Sequence, residues 1–347
     1  MSACLQALKA RTGGTLLVIR HAPAANAPYD PALFAWIDRL HDRHRHTRAE
    51  MLAMVRDFRP DAVLMAGWFD RDYLAVARAM RREGVPVIAG CDTQWTGSLR
   101  QRVGSVLSPW YLHSAIDVLW VSGERQRQLA RRLGYAGARC WTGIYACDHA
   151  RFASAYRDDA ERPCVFLFVG RYIPIKGLDT LLNAYRRYRA MTPEPWELHC
   201  AGTGELASLL EGQDGVTDLG FVQPDRLPEI FAGAGVFVLP SRREPWGVVV
   251  QEAAAAGLPL LCSTASGASV HLVQDGYNGF LFEPGDATHL ASLMLRISRM
   301  TAAERRALSR ASHLLSMQFT PERWAETFVQ GLADLKGERR LQETVPE

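Results

Sequence analysis

Val236-Phe-Val-Leu-Pro-Ser-Arg-Arg-Glu244-Pro-Trp-Gly-Val-Val-Val-Gln-Glu252-Ala-Ala-Ala-Ala256-Gly-Leu-Pro-Leu-Leu261 decides how this chain is read. Two short apolar runs, Val236 to Leu239 and Leu258 to Leu261, flank an alanine-rich segment of helical length. The stretch therefore predicts strand, loop, helix, strand. Glu244 falls in the strand-to-helix loop and Glu252 inside the helix. Among Val248, Val249, Val250 and Ala253 to Ala256, an unpaired carboxylate at 252 would be costly, which argues for a ligand partner rather than a surface position.

The same alternation runs outward in both directions and predicts an α/β chain built on parallel sheets. Strands are expected at Leu16 to Ile19, Ala62 to Met65, Val87 to Ala89, Val118 to Val121 and Ala138 to Trp141. In the second half they are expected at Val165 to Val169, Glu197 to Ala201, Val236 to Leu239, Leu258 to Leu261 and Gly279 to Phe282. At 347 residues the chain exceeds what one core supports, so two similar domains are expected. The boundary is placed in 146–163, where Asp158, Asp159, Glu161 and Pro163 break all apolar periodicity. This gives domains 1–145 and 164–320, and a last helix starting at Pro321 after Thr320.

Around the central stretch the residues suggest chemistry. Gly247 lets backbone approach a ligand, and the first free amides of the following helix, near Val248, point at it. Carboxylates accept hydrogen bonds from vicinal diols, which ribose and hexose both offer, so Glu244 and Glu252 suit one sugar each of a nucleotide-sugar. Gly170-Arg171-Tyr-Ile-Pro-Ile-Lys176-Gly177 directly follows the Val165 to Val169 strand, where open α/β sheets bind ligands. Arg171 and Lys176 could there grip a diphosphate. The chain holds 37 Arg and only Lys9, Lys176 and Lys336, which makes a compact ammonium at 176 informative. Ala201-Gly202-Thr203-Gly204-Glu205 also opens a helix after a strand, which would bring the backbone amides of Gly202 and Gly204 near the same cleft as donor-binding candidates, although the full dinucleotide fingerprint is absent.

Composition bounds the rest. Hydrophobic residues make up 48% and charged residues 22%, as in a folded globular chain, and no apolar run is long enough to span a membrane. The first residues, MSACLQALKARTGG, lack the apolar core of a signal peptide. A cytoplasmic protein is expected, at most peripheral at the inner face of the membrane. The seven scattered cysteines, with no CxxC pair, are expected to be reduced core residues. Residues 1–145 hold 20 Lys and Arg against 12 Asp and Glu, a net +8. That excess suggests an acidic partner such as a phosphorylated acceptor or an anionic membrane surface, against the plainer reading of a solvated basic face.

In order and spacing, the Gly-Arg…Lys-Gly loop, Ala-Gly-Thr-Gly-Glu, Leu219-Gly220-Phe221-Val222, the Glu244/Glu252 pair, Ala255-Ala-Gly-Leu-Pro259 and Asp275-Gly-Tyr-Asn-Gly279 resemble family 4 of the retaining GT-B glycosyltransferases (glycosyl transferases group 1). The resemblance implies two Rossmann-like domains facing a central cleft, acceptor in the first and nucleotide-sugar in the second, with the last helix crossing back to the first. It implies diphosphate on Arg171 and Lys176, and the transferred sugar on Glu244 and the amides of Gly247 and Val248. It further implies ribose on Glu252 and the base beside Val222. The expected reaction is retaining sugar transfer to an acceptor hydroxyl of a saccharide or lipid-linked glycan, without metal or other cofactor and without nucleic acid. UDP-hexose is the expected donor because such donors are common. A nucleotide-sugar 2-epimerase of the same fold, or a non-catalytic nucleotide-sugar-binding subunit, are the alternatives.

The first half departs from the pattern. Its Gly13 and Gly14 precede rather than follow the first strand, and Gly90-Cys-Asp92-Thr-Gln-Trp95 stands where many relatives carry a His. Asp92 is the candidate for supporting the reacting sugar, and Trp68 and Trp95 for stacking on an acceptor, with a loop cap and core packing as competing readings. Asp70-Arg-Asp72 has DxD spacing and His41-Asp-Arg-His44-Arg-His46 clusters imidazoles. The first sits in the acceptor half and the second on an expected polar helix among arginines, so no metal role is assigned to either.

Overall fold

The structure, a computed structural model, describes residues 1–22, 31–157 and 162–344. They divide into two units, one of residues 1–22, 31–145 and 321–344, the other of 146–157 and 162–320. Asp158, Asp159 and Glu161 of the expected boundary lie outside the described residues.

The first unit runs α1 (Ser2–Thr12), β1 (Leu17–Arg20), β2 (Arg39–Asp42), α2 (Arg48–Phe58), β3 (Val63–Met65), α3 (Arg71–Arg82), β4 (Val87–Cys91), α4 (Leu99–Tyr111), β5 (Val118–Val121), α5 (Glu124–Arg132) and β6 (Cys140–Thr142). Strands β3-β4-β5-β6 form a parallel sheet in sequence order, and β1 and β2 form a separate parallel pair. Polar side chains start the helices: Thr47 and Glu50 make a capping box on α2, Asp70 caps α3 and Ser98 caps α4.

Two expectations in this unit are corrected. The His41–His46 stretch is strand β2 followed by a short 3-10 turn, Arg43–Arg45, not a polar helix. Its backbone pairs with β1, Ile19 opposite His41, and that pairing overrides the polar composition. The strand expected from Ala138 begins at Cys140, because Gly137–Arg139 form a 3-10 turn.

The second unit runs α6 (His149–Ala153), β7 (Val165–Val169), α7 (Leu178–Ala190), β8 (Glu197–Ala201), β9 (Val216–Gly220), α8 (Leu227–Ala232), β10 (Val236–Leu239), α9 (Val248–Ala255), β11 (Leu260–Ser263), α10 (Ser269–Leu272), β12 (Gly279–Phe282), α11 (Ala287–Ser298) and α12 (Ala302–Ser316). Its six parallel strands are ordered β12-β11-β10-β7-β8-β9, a doubly wound sheet. The central strands are continuous apolar runs because helices cover both faces: Phe166, Leu167 and Phe168 of β7 and all of β10 have no exposed surface. Edge strand β9, Val216-Thr-Asp-Leu-Gly220, has no such run and is defined by its pairing with β8. β11 begins two residues later than expected, after Pro259.

The 146–163 stretch is more than a spacer. Phe152 of α6 is buried edge-on against Phe231, and the Arg162 guanidinium reaches the carbonyls of Phe231, Ala234 and Ala256. After α12 the chain enters α13 (Pro321–Thr344), which packs in the first unit beside α1. Trp324 stacks on Trp120 at 4.6 Å and donates to the Ile144 carbonyl at 2.8 Å. All seven cysteines are free; six are buried and Cys164 is exposed. Among the described residues no helix is long and apolar enough to cross a membrane.

Candidate functional site

In the second unit the chain leaves β7 toward β8 on one side of the sheet and later builds β10 and β11 on the other. The order therefore reverses between β7 and β10, and it is in the crevice outside the carboxyl ends at such a switch point that open α/β sheets bind ligands. The loops beyond those ends are Gly170–Gly177 and Pro240–Gly247, the two segments with the strongest chemistry.

They are joined by backbone and by charge. Arg242 N–H donates to the Ile175 carbonyl at 2.8 Å, and the Arg242 guanidinium binds Asp179 at 2.5 Å. That arginine is thus occupied away from Glu244. The Glu244 carboxylate instead accepts from the Lys176 ammonium, and Ser241 Oγ lies 3.4 Å from the same oxygen. Glu244 is 7% exposed, so the pair is largely out of water. Two candidates 68 positions apart are in direct contact, and Ser241, absent from the expected set, joins them.

Gly247 heads α9 with φ 95°, and a side chain there would crowd Glu244 Cγ at 3.1 Å and Ser266 Oγ at 3.2 Å. The first turn of α9, at half-buried Val248 and Val249, leaves its leading amides without helical partners. A helix N-terminus beside a lysine favours an anion. Arg171, at the start of the other loop, is exposed and makes no ion pair among the described residues.

Gly202 and Gly204 have a structural reason of their own. A Cβ at 202 would lie 1.9 Å from the Gly170 carbonyl oxygen, and one at 204 would lie 2.4 Å from that of Tyr172. The loops are bonded there, Tyr172 N–H to the Thr203 carbonyl at 2.8 Å and Leu206 N–H to the Tyr172 carbonyl at 3.0 Å. These glycines thus hold the Arg171 loop in place. Val222, half-buried just past β9, stands beyond the carboxyl end of the next strand.

Glu252 sits half-buried in α9, and its carboxylate makes no hydrogen bond or ion pair among the described residues. Burial pushes it up to about 7, and the Asp148 carboxylate adds to the rise. Asp148 caps α6 through the Arg151 amide, and nothing in its own spacing signalled the neighbour on α9.

In the first unit Asp92 follows β4 and accepts from the Tyr145 hydroxyl at 3.2 Å, while Gln126 donates to its carbonyl. Trp68 and Trp95 are half-buried against that unit's core, and the Arg132 guanidinium lies 4.4 Å from the Trp95 ring centroid. Asp70 and Asp72 form ion pairs with Arg43, and Arg48 also binds Asp72. Asp70 also caps α3. Their DxD spacing therefore serves capping and ion pairing.

Residues 163–299, which contain the whole crevice, match the family model described as glycosyl transferases group 1. That match spans 137 of the chain's 347 residues. The chain is 28% identical over 315 residues to a glycogen synthase of Mycobacterium tuberculosis (strain CDC 1551 / Oshkosh), covering 86% of this chain and 75% of the relative. It is 33% identical over 231 residues to a D-inositol 3-phosphate glycosyltransferase of Geodermatophilus obscurus, covering 60% of this chain and half of that relative. Among solved structures it resembles Anabaena HepE in complex with UDP and glucose, with TM-score 0.72, 16% identity, and 96% and 95% of the two chains covered. The fold is the GT-B glycosyltransferase fold, as in sucrose-phosphate synthase from Thermosynechococcus elongatus, with TM-score 0.67 and 21% identity over 84% of this chain and 77% of that one. The group 1 match lies within the unit that holds Lys176, Glu244 and Glu252.

Proposed function

We propose that this group 1 glycosyltransferase moves a hexose from a UDP-sugar bound at the β7/β10 crevice to a hydroxyl of a saccharide or lipid-linked glycan, with retention of configuration. The Lys176–Glu244 contact carries the reading. It places a cation suited to diphosphate beside a carboxylate suited to a sugar diol, at the head of a helix.

In this reading Arg171, Lys176 and the amides at Gly247 and Val248 hold the diphosphate, Glu244 the hexose, Glu252 the ribose, and Val222 borders the base. As the anomeric carbon–oxygen bond breaks, its electron pair passes to the diphosphate oxygen, where these groups stabilise the growing charge. The acceptor oxygen bonds to the same face of the sugar and its proton goes to the departing phosphate. No metal is required for that balance. Asp92, held by Tyr145, is assigned to the acceptor side. The HepE complex, which contains UDP and glucose, supports the donor class.

The test is a thermal-shift series in chelator-containing buffer with UDP, GDP, ADP, TDP and their sugar conjugates. Stabilisation confined to the uridine series is expected, about 2.7 kcal/mol at a hundredfold excess over Kd. No shift from any nucleotide would remove the donor assignment.

Glu252 supplies a pH test. Its carboxyl is raised from 4.5 to about 7 in the folded chain. The folded state therefore holds a proton that the unfolded state has lost between those values, and this favours folding most fully below 4.5. The advantage fades as pH rises to about 7, leaving a charged, poorly solvated carboxylate above it. Glu252→Gln is expected to flatten that loss, on the order of 1–3 kcal/mol, so its melting temperature gains on the parent between pH 5 and pH 8. The same variant should bind UDP about tenfold more weakly at pH 8, since a neutral amide replaces a charged acceptor. Equal pH slopes, or unchanged UDP affinity, would remove Glu252 from the ribose position.

A further inference from the structure

Helix α4 is built inside out. Its inward side is polar or small: Ser108 is buried and donates to the Leu133 carbonyl at 2.6 Å, and Gln101 bonds back to the Gln94 carbonyl. Its outward side carries Leu99, Val103, Val106, Leu107 and Trp110, at 77%, 50%, 68%, 52% and 73% exposure. These positions recur at helical spacing and form one continuous apolar stripe. Arg100 and Arg102 flank the stripe on its two sides, and Phe69, 70% exposed, lies beneath the Arg100 guanidinium. No Asp or Glu occurs between Asp92 and Asp117.

A surface helix of a globular protein turns its apolar stripe to the core, and contiguous exposed patches of this kind mark contact surfaces. Here apolar side chains with an outward tryptophan are bordered by arginines and free of carboxylates. Residues 1–145 as a whole carry a net +8. That combination is complementary to a bilayer surface, where acyl chains take the apolar stripe, the headgroup boundary takes Trp110, and anionic lipids meet the arginines. We propose that α4 docks this protein on anionic membranes, lying flat in the interface. The stripe belongs to the first unit and the donor candidates to the second, and the proposal does not depend on the donor assignment.

Flotation of the full chain with vesicles of phosphatidylcholine and phosphatidylglycerol in equal parts tests it. The protein should rise with these vesicles and far less with phosphatidylcholine alone. Val106→Glu with Trp110→Glu should reduce the floated fraction by about tenfold or more, because the charges enter the acyl boundary. Arg100→Gln and Arg102→Gln should each weaken binding about fivefold on anionic vesicles only. All four positions are solvent-exposed, so melting temperatures should match the parent and UDP stabilisation should persist. Absence of flotation, or flotation unaffected by the Val106/Trp110 pair, would overturn the proposal. So would a lipid-free dimer in sedimentation velocity that Val106→Glu dissolves, since that would assign the stripe to a second copy of the chain.

Discussion

Glu244→Ala is expected to lower kcat/KM by about two orders of magnitude, the scale of a lost hydrogen-bonded charge contact in a site closed to water. In the structure the carboxylate is held by Lys176 and Ser241 and is nearly without solvent contact. Ligand binding is expected to redistribute that pair, Lys176 turning to diphosphate as Glu244 accepts from the sugar. If the sugar contact tightens as the anomeric bond breaks, kcat falls more than KM rises. The truncation also leaves the Lys176 ammonium unpaired, with 16% of its side chain exposed, which costs on the order of 2 kcal/mol of stability. A retained thermal shift with UDP would separate lost chemistry from lost fold, and Glu244→Gln, which keeps the shape, isolates the charge. Parent-like kcat/KM in both variants would take Glu244 out of the site.

Gly177→Ala is expected to cause a large loss of stability at the seam between the Gly170–Gly177 and Pro240–Gly247 loops. Gly177 has φ 72°, and an added Cβ would lie 2.2 Å from the Pro240 carbonyl oxygen, on the backbone of the facing loop. Left-handed strain contributes about 1–2 kcal/mol, and forcing the loops apart about 1–3 kcal/mol more. The melting temperature should fall by roughly 5–15 °C. Gly276→Ala is the control, because its φ of 77° is similar while nothing lies within 4 Å of the added carbon. It should show the strain alone. Equal losses in the two variants would mean that Pro240 yields freely, and the tight seam between the Lys176 and Glu244 loops would not be what positions them.

What the sequence by itself determined includes β5 of the first unit, whose bounds match the expected Val118 to Val121, and more of the second unit. There strands β7, β8, β10 and β12 were legible to the residue, and for the central β7 and β10 the reason is that strands covered on both faces are unbroken apolar runs. The placement of Arg171, Lys176 and Glu244 in loops that follow strands, and of Glu252 inside a helix, was legible too. Edge strands β2 and β9 were not. Arg39-Leu-His-Asp42 and Val216-Thr-Asp-Leu-Gly220 are polar, half-exposed segments whose extended form comes from hydrogen bonds to a neighbouring strand.

Only the tertiary structure decided the partners. Arg242 and Arg243 stand nearest Glu244 in sequence, yet Lys176 takes the carboxylate, because sheet order sets β10 beside β7. Gly202 and Gly204 read as ligand-facing, whereas their hydrogen atoms make room for the carbonyls of Gly170 and Tyr172. The stripe of α4 follows the same logic. Its helical spacing is present in the sequence, but which side meets water depends on what packs beneath it, and Ser108 does. Chain order specifies which side chains can share a helix face or a loop; the free energy of packing distant segments together specifies which of them meet.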